Sequence, residues 1–377
     1  YDSHLDQHYL DAREGQSFSF QLPSDVFTDA ASEQLTFTAT LGNGAALPSW
    51  LTFNATTRTF SGTPPAAGND LDIRLTARDP LGQFEAMDFT LRTPPAASAP
   101  PAKWTVMVYV AADNNQAQYA LKDLNELESV LMPSGVNVVV LWDSSGSADT
   151  KRGKLTYDID MATFKSTMTA ISTTATERNM GDPATLTEFL DWGASNYRAD
   201  NYALVVWDRN GGGLTGTGVD VTSGRASLTA SELTRAIEQS TIGKVDLLGF
   251  DSNLSANIEQ MAELSDQADY IVAPETLSKA DGWDYAGWLL KLAADTSMTD
   301  AELATAAQEA HTAYYANTAV LQSLGTSQVD ALVAALGDFV AAAADMDVTE
   351  RGLIQTAIDA NRLAGDSSLV DLRGLMG

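Results

Sequence analysis

The spacing of apolar residues changes abruptly across one short segment, TPPAASAPPAK, from Thr93 to Lys103. Before it, SFSFQL, LTFTATL, LDIRLTA and AMDFTLRT alternate apolar and polar residues, and turn clusters such as LGNG and PPAAGND separate them. Alternation of this kind marks strands with one buried face, and short strands with no helical stretch between them predict a β-sandwich. After it, the apolar runs are continuous: WTVMVYVA (104–111), VNVVVLWD (136–143), YALVVWD (202–208), KVDLLGFD (244–251) and DYIVAPE (269–275). Such runs suit strands buried on both faces, and the amphipathic stretches between them predict an α/β domain with a mostly parallel sheet flanked by helices. Proline without apolar periodicity makes the segment between a semi-rigid spacer. The expected organisation is an all-β sandwich over 1–93, a Pro/Ala-rich linker over 94–103 and an α/β domain over 104–377.

Charge narrows the partners. The formal net charge is −28, which repels nucleic-acid phosphates and anionic membranes and attracts basic or divalent cationic partners; solvation in a salty medium is the bland account of the same number. No uninterrupted apolar stretch reaches the roughly 18 residues of a membrane helix, so no membrane insertion is expected and the chain reads as a soluble, mature or trimmed fragment. Cysteine is absent, which excludes disulfides and thiolate metal sites. The three histidines are His4 and His8 near the start and His311 in a late helical segment.

Helix signals are explicit in the second part. Leu121, Leu124, Leu127 and Leu131 share one face; Asp182-Pro183 is a cap followed by proline at the first helical position; Thr229 with Glu232 and Thr299 with Glu302 form capping boxes. Ala-rich helices are expected near 300–316, 327–344 and 349–363, and an edge strand or hairpin within 151–170. The main strands end in Asp113, Asp143, Asp208, Asp251 and Glu275. In open α/β sheets ligands bind beyond the carboxyl ends of the strands, so this rim is the expected site.

Two resemblances sharpen the picture. LPSWLTFNATTRTFSGTP resembles the cadherin-like or dystroglycan-type immunoglobulin-like modules of secreted and surface proteins, with Trp50 as a core residue between sheets. Such modules sometimes bind calcium, which Asp25, Asp29 and Asp79 could ligate, although the tight D-x-D spacing is missing and calcium wants six to eight oxygens. No other cofactor is expected. WTVMVYVAADNN (104–115), ALKDLNELE (120–128), NMGDPATLTEFLDWG (179–193), YALVVWDRNGGG (202–213), VDLLGFDSNLSANIE (245–259) and DGWDY (281–285) resemble the clostripain family of cysteine peptidases, in the family's order. That resemblance implies a caspase-like fold.

It also implies where the chemistry would lie. The family's histidine position falls on Arg209, or on Asn210 if the loop is gapped differently, and its cysteine position falls on Asn253. Arginine stays protonated and a carboxamide is not a nucleophile, so neither supplies the thiolate and proton relay of a cysteine peptidase. The family's acidic pocket for basic side chains maps to Asp251 and Asp281, with Asp208 beside them, so a pocket able to hold Arg or Lys is implied without its cutting residues. The plain alternative is that Asp251 caps a helix beginning near Asn253 and Asp281 orders its own turn.

Other features are weaker. GGGLTGTG (211–218) lacks the Lys-Ser/Thr ending of a phosphate loop, and Ser252 and Ser255 do not form a nucleophile elbow. His311 lies among alanines, where a packed or surface role is expected. Cleavage within the family's processing loops depends on the missing cysteine, so the chain is expected uncut. The expected function is a secreted or cell-surface pseudopeptidase that binds protein or peptide with basic residues. The alternatives are an Arg-directed cysteine endopeptidase with altered catalytic residues, and a structural or adhesive surface protein.

Overall fold

The computed structural model describes residues 9–22, 26–27, 34–65, 67–68, 70–94, 101–114, 116–146, 149–172, 178–212, 216–279, 281–316, 318–319, 321–362 and 370, with the side chains of Tyr9, Arg209, Asn210 and Gly211 excepted. Asp25, Asp29, His4 and His8 lie outside the described residues.

The first domain contains strands β1 (Tyr9–Asp11), β2 (Phe18–Gln21), β3 (Thr36–Leu41), β4 (Leu51–Asn54), β5 (Thr59–Gly62), β6 (Leu71–Arg78) and β7 (Phe84–Arg92). They form two sheets, β1-β7-β6-β3 and β2-β5-β4. Alternate residues face inward, so Phe60, Ile73, Leu75, Phe89 and Leu91 make one core between the sheets. Trp50 packs at the margin of this core, partly buried, rather than at its centre. Asp79 accepts the Gln83 amide at 2.8 Å and orders the turn between β6 and β7.

The second domain begins with β8 (Ala102–Ala111), which starts inside the segment expected as linker. There follow α1 (Ala117–Glu128), β9 (Val136–Asp143), β10 (Lys151–Lys154), β11 (Thr169–Ala170), α2 (Pro183–Asn196) and β12 (Ala199–Gly212). Next come β13 (Thr217–Asp220), β14 (Ala226–Leu228), α3 (Ala230–Gln239), β15 (Val245–Asn253), α4 (Ile258–Leu264) and β16 (Ala268–Pro274). The domain closes with α5 (Tyr285–Ala294), α6 (Asp300–Tyr314), β17 (Leu321–Gly325), α7 (Thr326–Ala344) and α8 (Val348–Ala360). One sheet runs β11-β10-β9-β8-β12-β15-β16-β17. Its centre, from β9 to β16, is parallel; β10, β11 and β17 pair antiparallel at the edges.

The continuous apolar runs are explained by burial on both faces. Along β8, Trp104, Val106, Val108 and Val110 enter a core with α1, α5 and α6, whereas Met107, Tyr109 and Ala111 enter a second core with α2, α3 and α4. The expected caps are in place: Asp182 accepts from Ala184, and Thr229–Glu232 and Thr299–Glu302 are reciprocal capping boxes.

One expectation changes. On α1, Leu124 and Leu127 are buried, but Leu121 is half-exposed and Leu131 lies beyond the helix in solvent; the buried face is completed by Asp123, Asn125, Glu126 and Glu128. Among the described residues helix α7, 19 residues long, is long and apolar enough by length and composition alone to cross a membrane, although Asp330 and Asp338 keep it from being an uninterrupted apolar run. Most of its surface is exposed.

Candidate site at the carboxyl ends of the parallel strands

The five parallel strands deliver their acids to one rim, but most of these carboxylates are spent inside the protein. Asp208 is fully buried in β12 and accepts the Val219 amide of β13 at 2.9 Å. Asp251 is 1 % exposed and accepts the Trp283 amide at 3.3 Å and the Tyr285 hydroxyl at 3.0 Å. The Trp283 indole N–H in turn donates to the Phe250 carbonyl at 3.2 Å. DGWDY is therefore docked on the end of β15 through its aromatic residues. Gly249 makes room for it, since a Cβ there would lie 2.7 Å from the Trp283 ring.

Asp281 is the half-exposed acid of the three, and it already has a partner. Lys122 of α1 reaches its carboxylate at 3.0 Å and Glu126 at 3.5 Å. Burial works against the Lys122 ammonium, but the hydrogen bond it donates to Asp281 and the charge of Glu126 outweigh it and raise its pKa. Burial pushes the Glu126 carboxyl up to about 6 despite Lys122. Asp251 does not cap a helix: α4 begins at Ile258, and Asn257 caps it by accepting the Gln260 amide at 2.9 Å.

Asn253 closes β15 opposite Gly212 of β12. Between Trp207↔Asp251 and Gly212↔Asn253 the register shifts, so β12 bulges at Asp208–Gly211, where Arg209 and Asn210 lie; their side chains are outside the described residues. Gly212 has φ +124°, and a Cβ on it would sit 1.9 Å from the Asn253 carbonyl oxygen, so glycine is required. The Asn253 carboxamide oxygen accepts the Ser278 amide at 2.9 Å, and the Ser278 hydroxyl donates to the Ser252 carbonyl. Past Asn253 the chain turns through Leu254 at φ +52°, a conformation bulky residues rarely adopt, and Leu254 and Ala256 donate to the Thr276 and Pro274 carbonyls. Ser252 and Ser255 are buried and share a hydrogen bond of 2.6 Å. Asn253 thus has a fixed structural bond where a nucleophile would need a free approach.

A second group of acids lies beside the rim and was only half visible in the strand-end pattern. Asp113, Asp143 and Asp220 are buried, with carboxylate oxygens within 4.8 Å of one another. Asp113 accepts the Thr222 amide at 2.6 Å, Asp143 the Thr150 hydroxyl at 2.7 Å, and Asp220 the Met180 and Ser223 amides, each at 2.8 Å. Burial, opposed by the Met180 and Ser223 amides and reinforced by Asp113, raises the Asp220 carboxyl pKa. The three offer hard oxygen ligands of the kind calcium takes, fewer than the six to eight it usually gathers. Asp220 follows no apolar run, which is why the strand-end pattern misses it. His311 is buried on α6 against Tyr315, with ring centres 4.7 Å apart.

The sequence profile of the clostripain family matches residues 108–364. The chain belongs to the clostripain family. An immunoglobulin-like (Ig) domain profile matches residues 7–94. Clostripain from Hathewaya histolytica is 34% identical over 125 residues, which is 29% of this chain and 24% of clostripain, so the match spans about a quarter of that relative. Among solved structures, a secreted C11 cysteine protease from Bacteroides thetaiotaomicron, in complex with an irreversible peptide inhibitor, superposes with a TM-score of 0.53 at 23% identity, covering 62% of this chain and 69% of that one. An inactive zymogen C11 protease from Parabacteroides distasonis gives 0.52 at 20% identity, covering 63% and 65%. Within the clostripain family the eight-stranded, mostly parallel sheet and its helices form the caspase-like domain, preceded here by the Ig-like domain.

Proposed function

We propose that this clostripain-family chain is a secreted or cell-surface protein that has lost peptidase chemistry and binds protein or peptide segments carrying Arg or Lys. The observation that carries the loss of catalysis is at Asn253, whose carboxamide is held by Ser278 in a chain with no cysteine. A thiolate is the attacking group in a cysteine peptidase, and removing a catalytic nucleophile costs several orders of magnitude in rate. The Ig-like domain and the secreted C11 protease of like fold support the location. Of the three pocket acids Asp208, Asp251 and Asp281, Asp281 is the one within reach of a partner, which would exchange its own cation for Lys122.

A second reading, a structural or adhesive surface protein, has the burial of Asp208 and Asp251 in its favour, because side chains fill that part of the rim. Titration of a fluorescent Arg-containing peptide, read by anisotropy and by mass spectrometry of the peptide, separates the readings. Saturable binding without cleavage is expected, weakened by Asp281→Asn and tightened several-fold by Lys122→Met. Cleavage by the wild-type chain would end the non-catalytic reading, and no binding would favour the adhesive one.

A further inference from the structure

Helices α7 and α8 carry apolar residues that the rest of the domain leaves uncovered. Of the 19 residues of α7, Thr326 and Val329 near its start are buried, and α8 has no buried residue. Helices of this length owe most of their stability to the packing of an apolar face, so a face left bare calls for a partner.

The apolar residues of α7 are ordered along one seam. Val329, Leu332, Leu336, Phe339 and Ala343 follow alternating three- and four-residue steps, and Val333 and Val340 widen the seam on one side. Phe339 is 45 % and Val340 65 % exposed, whereas Leu332, Leu336 and Ala343 are half-buried. At the helical rise the seam runs about 21 Å from Val329 to Ala343, long enough for another helix to lie along it. Arg351 holds the corner into α8 by donating to the Ala344 and Met346 carbonyls at 2.8 and 2.9 Å.

The charge on α7 selects what covers it. Asp330, Asp338 and Asp345 are exposed with no ion pair among the described residues, and α7 contains neither Lys nor Arg. Of the nearby cations, Arg351 is engaged with the end of α7 and Arg362 pairs with Asp359 at 2.9 Å. A second copy would bring the same acids against these, in a chain of net charge −28. Amphipathic helices that lie on lipid carry Lys or Arg on the polar face, which α7 lacks. A helix with its own apolar stripe and a positive polar face complements both the seam and the acids.

We propose that the α7 seam is the docking surface for an amphipathic helix of a basic partner protein, its apolar stripe on Leu336, Phe339 and Val340 and its positive charge drawn by the acids of α7. None of these residues is shared with the rim, so the seam stands or falls apart from the peptide reading.

The test uses the full chain and three fluorescent 18-residue peptides, read by anisotropy at low salt: leucine and lysine in amphipathic helical order, the same residues scrambled, and the ordered peptide with glutamate for lysine. Far-ultraviolet circular dichroism establishes that each variant is folded. The ordered lysine peptide is expected to bind wild type at least tenfold more tightly than either of the others. Phe339→Gln with Val340→Gln, both at exposed positions, should erase its advantage over the scrambled peptide. Asp330→Asn with Asp338→Asn and Asp345→Asn should weaken it several-fold, and Asp281→Asn should leave the advantage unchanged. Equal binding of ordered and scrambled peptides to wild type would overturn the seam, and equal binding of the glutamate peptide would overturn the basic partner. Sedimentation velocity in which wild type dimerises and the glutamine variant does not would give the seam to a second copy. Flotation with phosphatidylcholine vesicles that is lost in the same variant would give it to lipid, and either result would overturn the proposal.

Discussion

Gly249 shows how much of the rim depends on single atoms. Its absent side chain leaves the space taken by the Trp283 ring, and Trp283 brings its own amide to Asp251. A methyl group there overpacks the contact, which costs about 1–3 kcal/mol. Gly249→Ala is accordingly expected to lower the thermal midpoint and shift tryptophan fluorescence to the red as Trp283 is displaced; an unchanged spectrum would mean the loop does not need this close approach. At this scale the sequence is informative about position and poor about environment. Asp208 and Asp251 can be placed at strand ends because apolar runs stop there. Their burial is not legible, since their donors, the Val219 and Trp283 amides, come from segments that only the fold brings near. Lys122 as the partner of Asp281 is hidden for the same reason, being 159 residues away by number and joined only through the packing of α1.

Among the elements, α1 departs furthest from its pattern. A leucine stripe predicts an apolar face, yet Asp123 accepts the Trp207 indole N–H at 2.6 Å and Glu128 accepts the Lys165 and Ser166 amides at 2.9 and 3.0 Å. These acids hold β12 and the segment after β10 against the helix, a role that periodicity cannot reveal because the donors are an indole and two loop amides. Strand and helix order is readable because burial on both faces leaves continuous runs and because the caps are explicit; β17 is not, since LQSLG is short and follows no alternation. Helix α1 also carries a pH signature. Burial pushes Glu126 from 4.5 up to about 6, so the folded chain binds this proton more tightly than the unfolded one. The resulting stability is full below pH 4.5 and is lost as pH rises through about 6. Between those values the melting temperature of wild type should fall with pH more steeply than that of Glu126→Gln; parallel curves would show that Glu126 does not titrate in this window.

The whole molecule is tied across its two domains by a buried charge. Asp70 of the Ig-like domain meets Arg152 of β10 at 3.4 Å, with side chains 2 % and 4 % exposed, and also accepts the Thr93 amide at 2.7 Å. Arg152 lies over the Trp192 ring and reaches Glu188, while the Asn196 amide approaches the same Asp70 oxygen at 3.4 Å. Burial raises the Asp70 carboxyl pKa, and Arg152 opposes that shift. Removing one partner of a buried pair costs about 3–5 kcal/mol, and the long contacts here favour the lower end. Arg152→Ala should therefore loosen the domains, seen as a larger radius of gyration by small-angle scattering and as separated calorimetric transitions; a wild-type scattering curve would show that other contacts hold the arrangement. No sequence pattern announces this pair, because Asp70 sits in a turn cluster and Arg152 on a short strand next to the sheet's edge, both ordinary places for surface charge.

The same contact sets an order of events during synthesis. Asp70 leaves the ribosome 82 residues before Arg152 and 126 before Asn196, so a sandwich that folds as it emerges holds this carboxylate with the Thr93 amide but without its later partners. Its desolvation waits until β10 and the end of α2 exist. The Ig-like domain then becomes a surface on which the sheet's edge is finished, and a chain interrupted before Asn196 would carry an acid prepared for burial with nothing yet complete to bury it.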